Sequence, residues 1–251
     1  LKDPSSLAIF GVRGANGVIL VTTKKAKEGR LNVTFSSSTG VKYITGKPDL
    51  ADANLFKTLL DERLVNDGQP PYASYNLFNG NTDWIDQIKN NGAIVQNANL
   101  SIQSGSETNK LSIGLGYLKE EGIIRNEELQ RVTVNINDEV NISENFKVGI
   151  GISGVKSDLP GPPPNSPYNF GAALNATPIV SPFNTDGVYN QLPIAIGAAQ
   201  IGNPLLVMNK RANSRIDDSY RFVGNVFAEL KFLKDFTFRI AYLGNYGIAK
   251  G

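Results

Sequence analysis

An alternation of apolar and polar side chains with period two recurs seven times, and it constrains the fold more than any other feature. From Leu31 the apolar residues Leu31, Val33 and Phe35 interleave with Asn32, Thr34 and Ser36, and the apolar side resumes at Val41 and Tyr43. Successive strand residues point to opposite faces, so the pattern predicts a strand that is apolar on one side only. The same reading holds for Ala98, Leu100 and Ile102; for Leu111, Ile113, Leu115 and Tyr117; for Val132, Val134 and Ile136; and for Phe146, Val148, Ile150 and Ile152. It returns at Tyr220, Phe222, Val226, Ala228 and Leu230, where Val223, Gly224 and Phe227 blur it, and at Phe236, Phe238, Ile240 and Tyr242. Each run is about ten residues, the length with which a tilted strand crosses a bilayer.

The connections alternate as well. Gly105 to Asn109, Asn141 to Asn145 and Lys231 to Asp235 read as short turns, whereas about 45–96, about 119–130 and about 157–219 read as longer connections. Transmembrane barrels sort their turns and loops by end in this way, with short periplasmic turns and long extracellular loops. Tyr43, Tyr117, Tyr220, Tyr242 and Tyr246 fall toward the long-loop ends and Phe146 and Phe236 toward the short turns, as in interfacial aromatic girdles. A soluble sandwich shares the alternation but has no reason to collect every long connection at one end. The first long loop carries helical spacing over Ala51 to Asn66 with Asp52 as a cap, a second short helix over Asp83 to Lys89, and a breaker at Asp67-Gly68-Gln69-Pro70-Pro71.

Composition removes several chemistries. Cys and His are both absent, so disulfides, thiolate nucleophiles and the commonest general base have no source here. The net charge of +2 and the single basic cluster Lys24, Lys25, Lys27 and Arg30, broken by Glu28, make no nucleic-acid footprint. No stretch approaches the length of a transmembrane helix, a test that one-sided strands evade. The adjacent carboxylates Glu120-Glu121, Glu127-Glu128 and Asp217-Asp218 point to opposite strand faces and form no acid/base pair. Asp83 and Asp86 near Asn79 and Asn81 lack the terminal Glu of a calcium loop. No metal, cofactor or catalytic residue is expected.

The opening run, Leu1-Lys2-Asp3-Pro4 through Ala8-Ile9-Phe10-Gly11-Val12-Arg13-Gly14-Ala15-Asn16-Gly17-Val18 to Thr22-Thr23-Lys24-Lys25, is the most specific motif. Asn16-Gly17 is a strong tight-turn signal, and Gly11 and Gly14 allow close backbone approach. Gly11-x-x-Gly14-x-x-Gly17 lacks the flanking strand and helix of a dinucleotide site. The run resembles the end of the plug domain in the SusC/RagA family of TonB-dependent outer-membrane transporters, with Phe10 where Tyr is usual and Gly14 where Ala is common. Asn99 to Gly116, Asn203-Pro204-Leu205, Gly224-Asn225 and Leu233 to Arg239 resemble later family segments.

The resemblance implies an all-β chain in which residues 1–30 finish the plug and residues 31–251 begin a transmembrane antiparallel barrel, about seven strands of the family's 22. Seven strands leave open edges, so the chain is expected to be part of a longer protein. The implied function is TonB-dependent import of a bulky oligosaccharide or peptide, without enzymatic chemistry, at the outer membrane of a Gram-negative bacterium. The implied partners are a SusD-like surface lipoprotein, TonB and outer-membrane lipid. Tyr168, Phe170, Phe183, Tyr189 and Trp84 are the expected ligand-binding aromatics, with Tyr72 and Tyr75 as weaker ones. Gly11, Gly14, Asn16 and Gly17 are expected to be structural. A secreted all-β binding or adhesion module is the competing expectation.

Overall fold

The computed structural model describes residues 11, 17–18, 29–160, 170–192, 202–208, 216–233 and 235–250. Its frame is one seven-stranded antiparallel sheet in which every strand pairs with its neighbours in sequence. The strands are β1 (Gly29–Lys42), β2 (Ala93–Gly105), β3 (Asn109–Glu121), β4 (Glu128–Ser143), β5 (Phe146–Pro160), β6 (Ile216–Phe232) and β7 (Phe236–Lys250). No helix among the described residues is long and apolar enough to cross a membrane.

Register explains the sequence pattern. Val33 pairs with Ile102, Ile102 with Ile113, Ile113 with Ile136 and Ile136 with Ile152, so one apolar row runs across five strands. The neighbouring row on the opposite face reads Thr34, Ser101, Gly114, Asn135 and Ser153, and there Ser153 Oγ donates to Asn135 Oδ1 at 2.8 Å. A slip of one residue at any pairing would mix the two faces, so the alternation fixes the register. The residues that blur β6 are resolved by pairing: Val223 lies opposite Ser153 and Phe227 opposite Gly149, both on the polar face. The Phe227 ring fills the space a Cβ at Gly149 would need.

The apolar face is not a core. Leu115, on a central strand, is 42% exposed and Ile150 45%. Six strand spacings and an apolar band of the usual height give a bare surface on the order of 700 Å², above what water-soluble monomers ordinarily expose.

The hairpins are also staggered. Asn109 opens β3 opposite Val140, yet β4 continues to Ser143; Phe146 opens β5 opposite Leu230, yet β6 continues to Phe232. Each short turn therefore lies two to three residues beyond its neighbour, about 7–10 Å over about 10 Å of sheet width, a strand tilt of about 40°. Barrel strands tilt by this amount.

The strands are longer than the expected ten residues. β3 runs to Glu121 and β4 begins at Glu128, so the second connection is the tight segment 122–127 rather than the expected 119–130. Charged residues that read as loop from sequence pair as strand instead: Lys119 Nζ lies 3.5 Å from Glu128 Oε2. Cross-strand pairing of opposite charges lets such residues extend a strand past its apolar stretch. The third connection is likewise bounded by Pro160 and Ile216, inside the expected 157–219.

Candidate functional site

The two long connections and the tight 122–127 segment leave the same end of the sheet, and they fold together. The first carries α1 (Ala53–Asn66) and α2 (Trp84–Ile88), within the expected 51–66 and 83–89. Asp52 accepts a bond from Leu55 N at 2.8 Å and Asp83 one from Asp86 N at 3.1 Å, each satisfying a free first-turn amide. α1 ends in a Schellman arrangement, with Gly68 at φ +73° donating to Val65 O and Gln69 N donating to Leu64 O. The third connection carries α3 (Phe170–Asn175) and α4 (Pro204–Val207), two helices too short to show periodicity in the sequence.

Backbone bonds stitch the first loop to the third: Gly80 N donates to Ile179 O at 2.9 Å and Thr82 N to Pro178 O at 2.8 Å. The second loop joins through Arg125 N to Ile88 O at 2.9 Å, and Asn126 Nδ2 reaches Met208 O in the third at 2.9 Å. Enclosed between them is a core of Leu60, Trp84, Ile85, Ile88, Ile124, Ala173, Ile179 and Met208. This is the main buried core among the described residues, and it belongs to the loops rather than to the sheet.

The predicted aromatics take different places in it. Trp84 is 1% exposed and its indole N–H donates to Thr177 O at 2.8 Å, which makes it the keystone of the loop core rather than an open stacking face. Phe170 is half-buried against the same core. Phe183 and Tyr189 are brought together, with ring centroids 4.9 Å apart, across a short bridge whose turn is closed by Asn184 and by Gly187 at φ +76°. Phe183 is 42% exposed, so this pair does present a ring to the outside. Tyr168 lies outside the described residues.

Tyr72 and Tyr75 support α1. The Tyr75 hydroxyl donates to Asp61 Oδ1 at 2.7 Å and Tyr72 N to the same oxygen at 3.0 Å. Burial first, and the Asp61 bond second, push the Tyr75 phenol up from its ordinary range. Gly11 and Gly17 have φ of +60° and +95°, a region that favours glycine. Gly14 and Asn16 lie outside the described residues.

The carboxylates Asp83 and Asp86 are held by cations. Lys47 pairs with both, the Asp86 contact being 3.0 Å, and Lys89 Nζ lies 2.7 Å from Asp86. Asp86 is held below its usual carboxylate range by Lys89 and then by Lys47, while Lys47 is raised by Asp83 and then by Asp86. Among the described residues no cluster of metal-ligating side chains is present.

Beside this clasp a cavity of about 280 Å³ opens between the first and third loops. Its wall includes Asp52, Phe56, Asn81, Trp84, Leu174 and Asn175. The sequence alone does not reveal it, because its two sides are about ninety residues or more apart and meet through contacts such as the Gly80–Ile179 and Thr82–Pro178 backbone bonds.

No family model matches the chain. Among curated proteins it is similar to the TonB-dependent receptor P3 of Formosa agariphila, with 31% identity over 96% of this chain and 24% of that protein. It is also similar to the TonB-dependent receptor SusC of Bacteroides thetaiotaomicron, with 30% identity over 98% of this chain and 26% of that protein. The chain thus spans about a quarter of the length of the curated relatives it matches. Among solved structures the fold matches the RagAB peptide importer in its "open-open" state, with a TM-score of 0.77 at 20% identity over 98% of this chain and 31% of that one. The "closed-closed" state of the same importer matches with a TM-score of 0.72 over 95% of this chain.

Proposed function

The chain is a relative, in sequence and in fold, of the TonB-dependent receptors of the SusC/RagA kind, and we propose that it serves active import of a bulky nutrient across the outer membrane of a Gram-negative bacterium. In this reading residues 1–30 finish a plug, the seven strands form part of a barrel wall, and loops 45–96 and 157–219 face the outside. TonB supplies the energy from the periplasmic side, and a SusD-like surface lipoprotein covers the loop end. The substrate is an oligosaccharide or a peptide, and it is moved without any bond being made or broken.

One observation carries the reading: an uncovered apolar face continuous across the sheet, backed by a face of Asn, Ser, Thr and Gly. Lipid on one side and a wet lumen on the other account for both faces together. Under the competing reading, a secreted sandwich, a second sheet would cover the apolar face, and none does among the described residues. Fractionation of cells expressing the intact protein tests the proposal. It is expected in the outer membrane, released only by detergent, and its deletion is expected to abolish growth on the imported nutrient. Release as a soluble protein without detergent would overturn the reading.

A further inference from the structure

We propose that residues 43–52 form a hinged strap along the cavity between the first and third loops, and that the Lys47 clasp is the latch that holds the strap shut. The inference rests on the loop geometry alone and stands apart from the importer reading.

The strap joins two anchored ends. Before it, Lys42 closes the β1–β2 pairing opposite Ala93, and its Nζ lies 2.6 Å from Glu120 Oε1. After it, Asp52 caps α1 and Ala53 N donates to Asn81 Oδ1 at 2.9 Å. Between these ends the chain forms neither helix nor strand. Residues 43–51 make no backbone hydrogen bond to any other part of the chain among the described residues. No strap side chain enters the loop core, and Gly46 to Leu50 are exposed without a break. A segment with neither burial nor backbone bonds belongs to the low-stability end of a structure. One side chain ties it down: Lys47 pairs with Asp83 and, at 3.0 Å, with Asp86.

Two features make this tie releasable. Gly46, directly before Lys47, has φ +141°, and the space around it is open, with no atom within 4 Å of where a Cβ would stand. The chain can swivel there without striking a neighbour. Release also strands no buried charge. Asp86 keeps Lys89 at 2.7 Å, and Asp83 keeps its bond from the Asp86 amide. Lys47, Asp83 and Asp86 are 34%, 39% and 42% exposed along their side chains, so water replaces what each loses. Ion pairs this open to solvent are weak enough to break and re-form.

The cavity shows what the latch governs. Leu50, Ala51 and Asp52 of the strap form part of its wall, and Asp83 and Trp84 form another part. Lys47 therefore ties the strap to the α2 side of the same cavity, and its release lets the two walls separate. Trp84 is 1% exposed with the strap in place.

Hydroxyl-radical footprinting of the intact protein, read residue by residue by mass spectrometry, tests the latch. Trp84 lines the cavity; Met208 is 2% exposed in the same loop core but does not line it, so it reports general loosening. Lys47→Met is expected to raise Trp84 labelling about threefold and to leave Met208 unchanged. Lys47→Arg, which keeps the charge, is expected to stay near the parent protein. Raising salt from about 50 mM to about 1 M cuts the screening length to about 3 Å. That change is expected to reproduce the Lys47→Met pattern in the parent protein and to add nothing in Lys47→Met. Trp84 labelling that ignores both the substitution and the salt overturns the proposal. So does a matched rise at Trp84 and Met208, which would make the clasp part of the core. An equal rise in Lys47→Arg and Lys47→Met also overturns it, because the contact would then not be ionic.

Discussion

Gly80 is where the first and third loops touch backbone to backbone. A Cβ there would lie inside 3.0 Å of backbone atoms of Ile179, Val180 and Ser181, none of which can rotate away. Gly80→Ala must therefore push the loops apart, and the expected cost to the loop assembly is about 1–3 kcal/mol. Trp84 is the sole tryptophan and is buried between these loops, so its emission reports the event directly. The variant is expected to show red-shifted emission and faster proteolysis within 161–215, with the strands unaffected. The same fluorescence reads the Lys47 clasp. Asp86 is held low, so its contribution is complete above the ordinary carboxylate pKa and is lost as pH falls through its lowered value. Lys47 is held high, so its contribution is complete below the ordinary lysine pKa and is lost as pH rises through its raised value. Stability of the loop assembly is expected to be flat between about pH 5 and 9 and to decline outside that window. The groups are partly exposed, so the effect is expected to stay under about 1 kcal/mol, and Lys47→Met should remove the alkaline limb.

Among the elements, the strands carry the clearest test of the two faces. Spin labels at Ile113 and Val134, which lie on the apolar rows, are expected to report lipid; labels at Ser112 and Thr133 are expected to report water. Ile113→Arg is expected to cost about 2–4 kcal/mol in folding into lipid vesicles, whereas Ser112→Arg is expected to cost little. Labels with the opposite accessibility would mean that the sheet is inverted. These strands were legible in the sequence because period-two alternation is a local signal. α1 and α2 were legible for a similar reason, since Asp52, Asp83 and Gly68 mark their ends whatever surrounds them. α3 and α4 were not, because helices of six and four residues have too few turns to show periodicity; Asn203-Pro204, a capping residue before a first-turn proline, was the one available sign. Strand ends such as Lys119 to Glu121 were misread because the charges there pair across the strands, as Lys119 does with Glu128, and do not mark the end of pairing. The role of Trp84 was illegible for a different reason: whether an aromatic is a stacking face or a keystone depends on which distant loop meets it.

At the scale of the whole molecule, the sheet and the loops divide the work. The sheet has almost no conventional core among the described residues, and its apolar surface lies open. The loops carry their own core, with side chains from all three connections. A surface that must recognise a bulky ligand benefits from this arrangement, because a pre-ordered loop assembly loses little conformational entropy on binding. The Phe183–Tyr189 pair is the part of that assembly that presents an aromatic ring outward, on a turn closed independently of it by Asn184 and Gly187. Phe183→Ala should therefore leave the turn, the loop core and surface expression intact while removing a stacking or packing face. Uptake of the nutrient and surface level are to be measured together for Phe183→Ala and Tyr189→Ala. Reduced uptake, by about fivefold or more for loss of one aromatic contact, at normal surface level is the expected outcome and marks the pair as part of the recognition surface. A fall in surface level that accounts for the whole loss would assign the pair to folding, and unchanged uptake in both variants would place recognition elsewhere on the loop assembly.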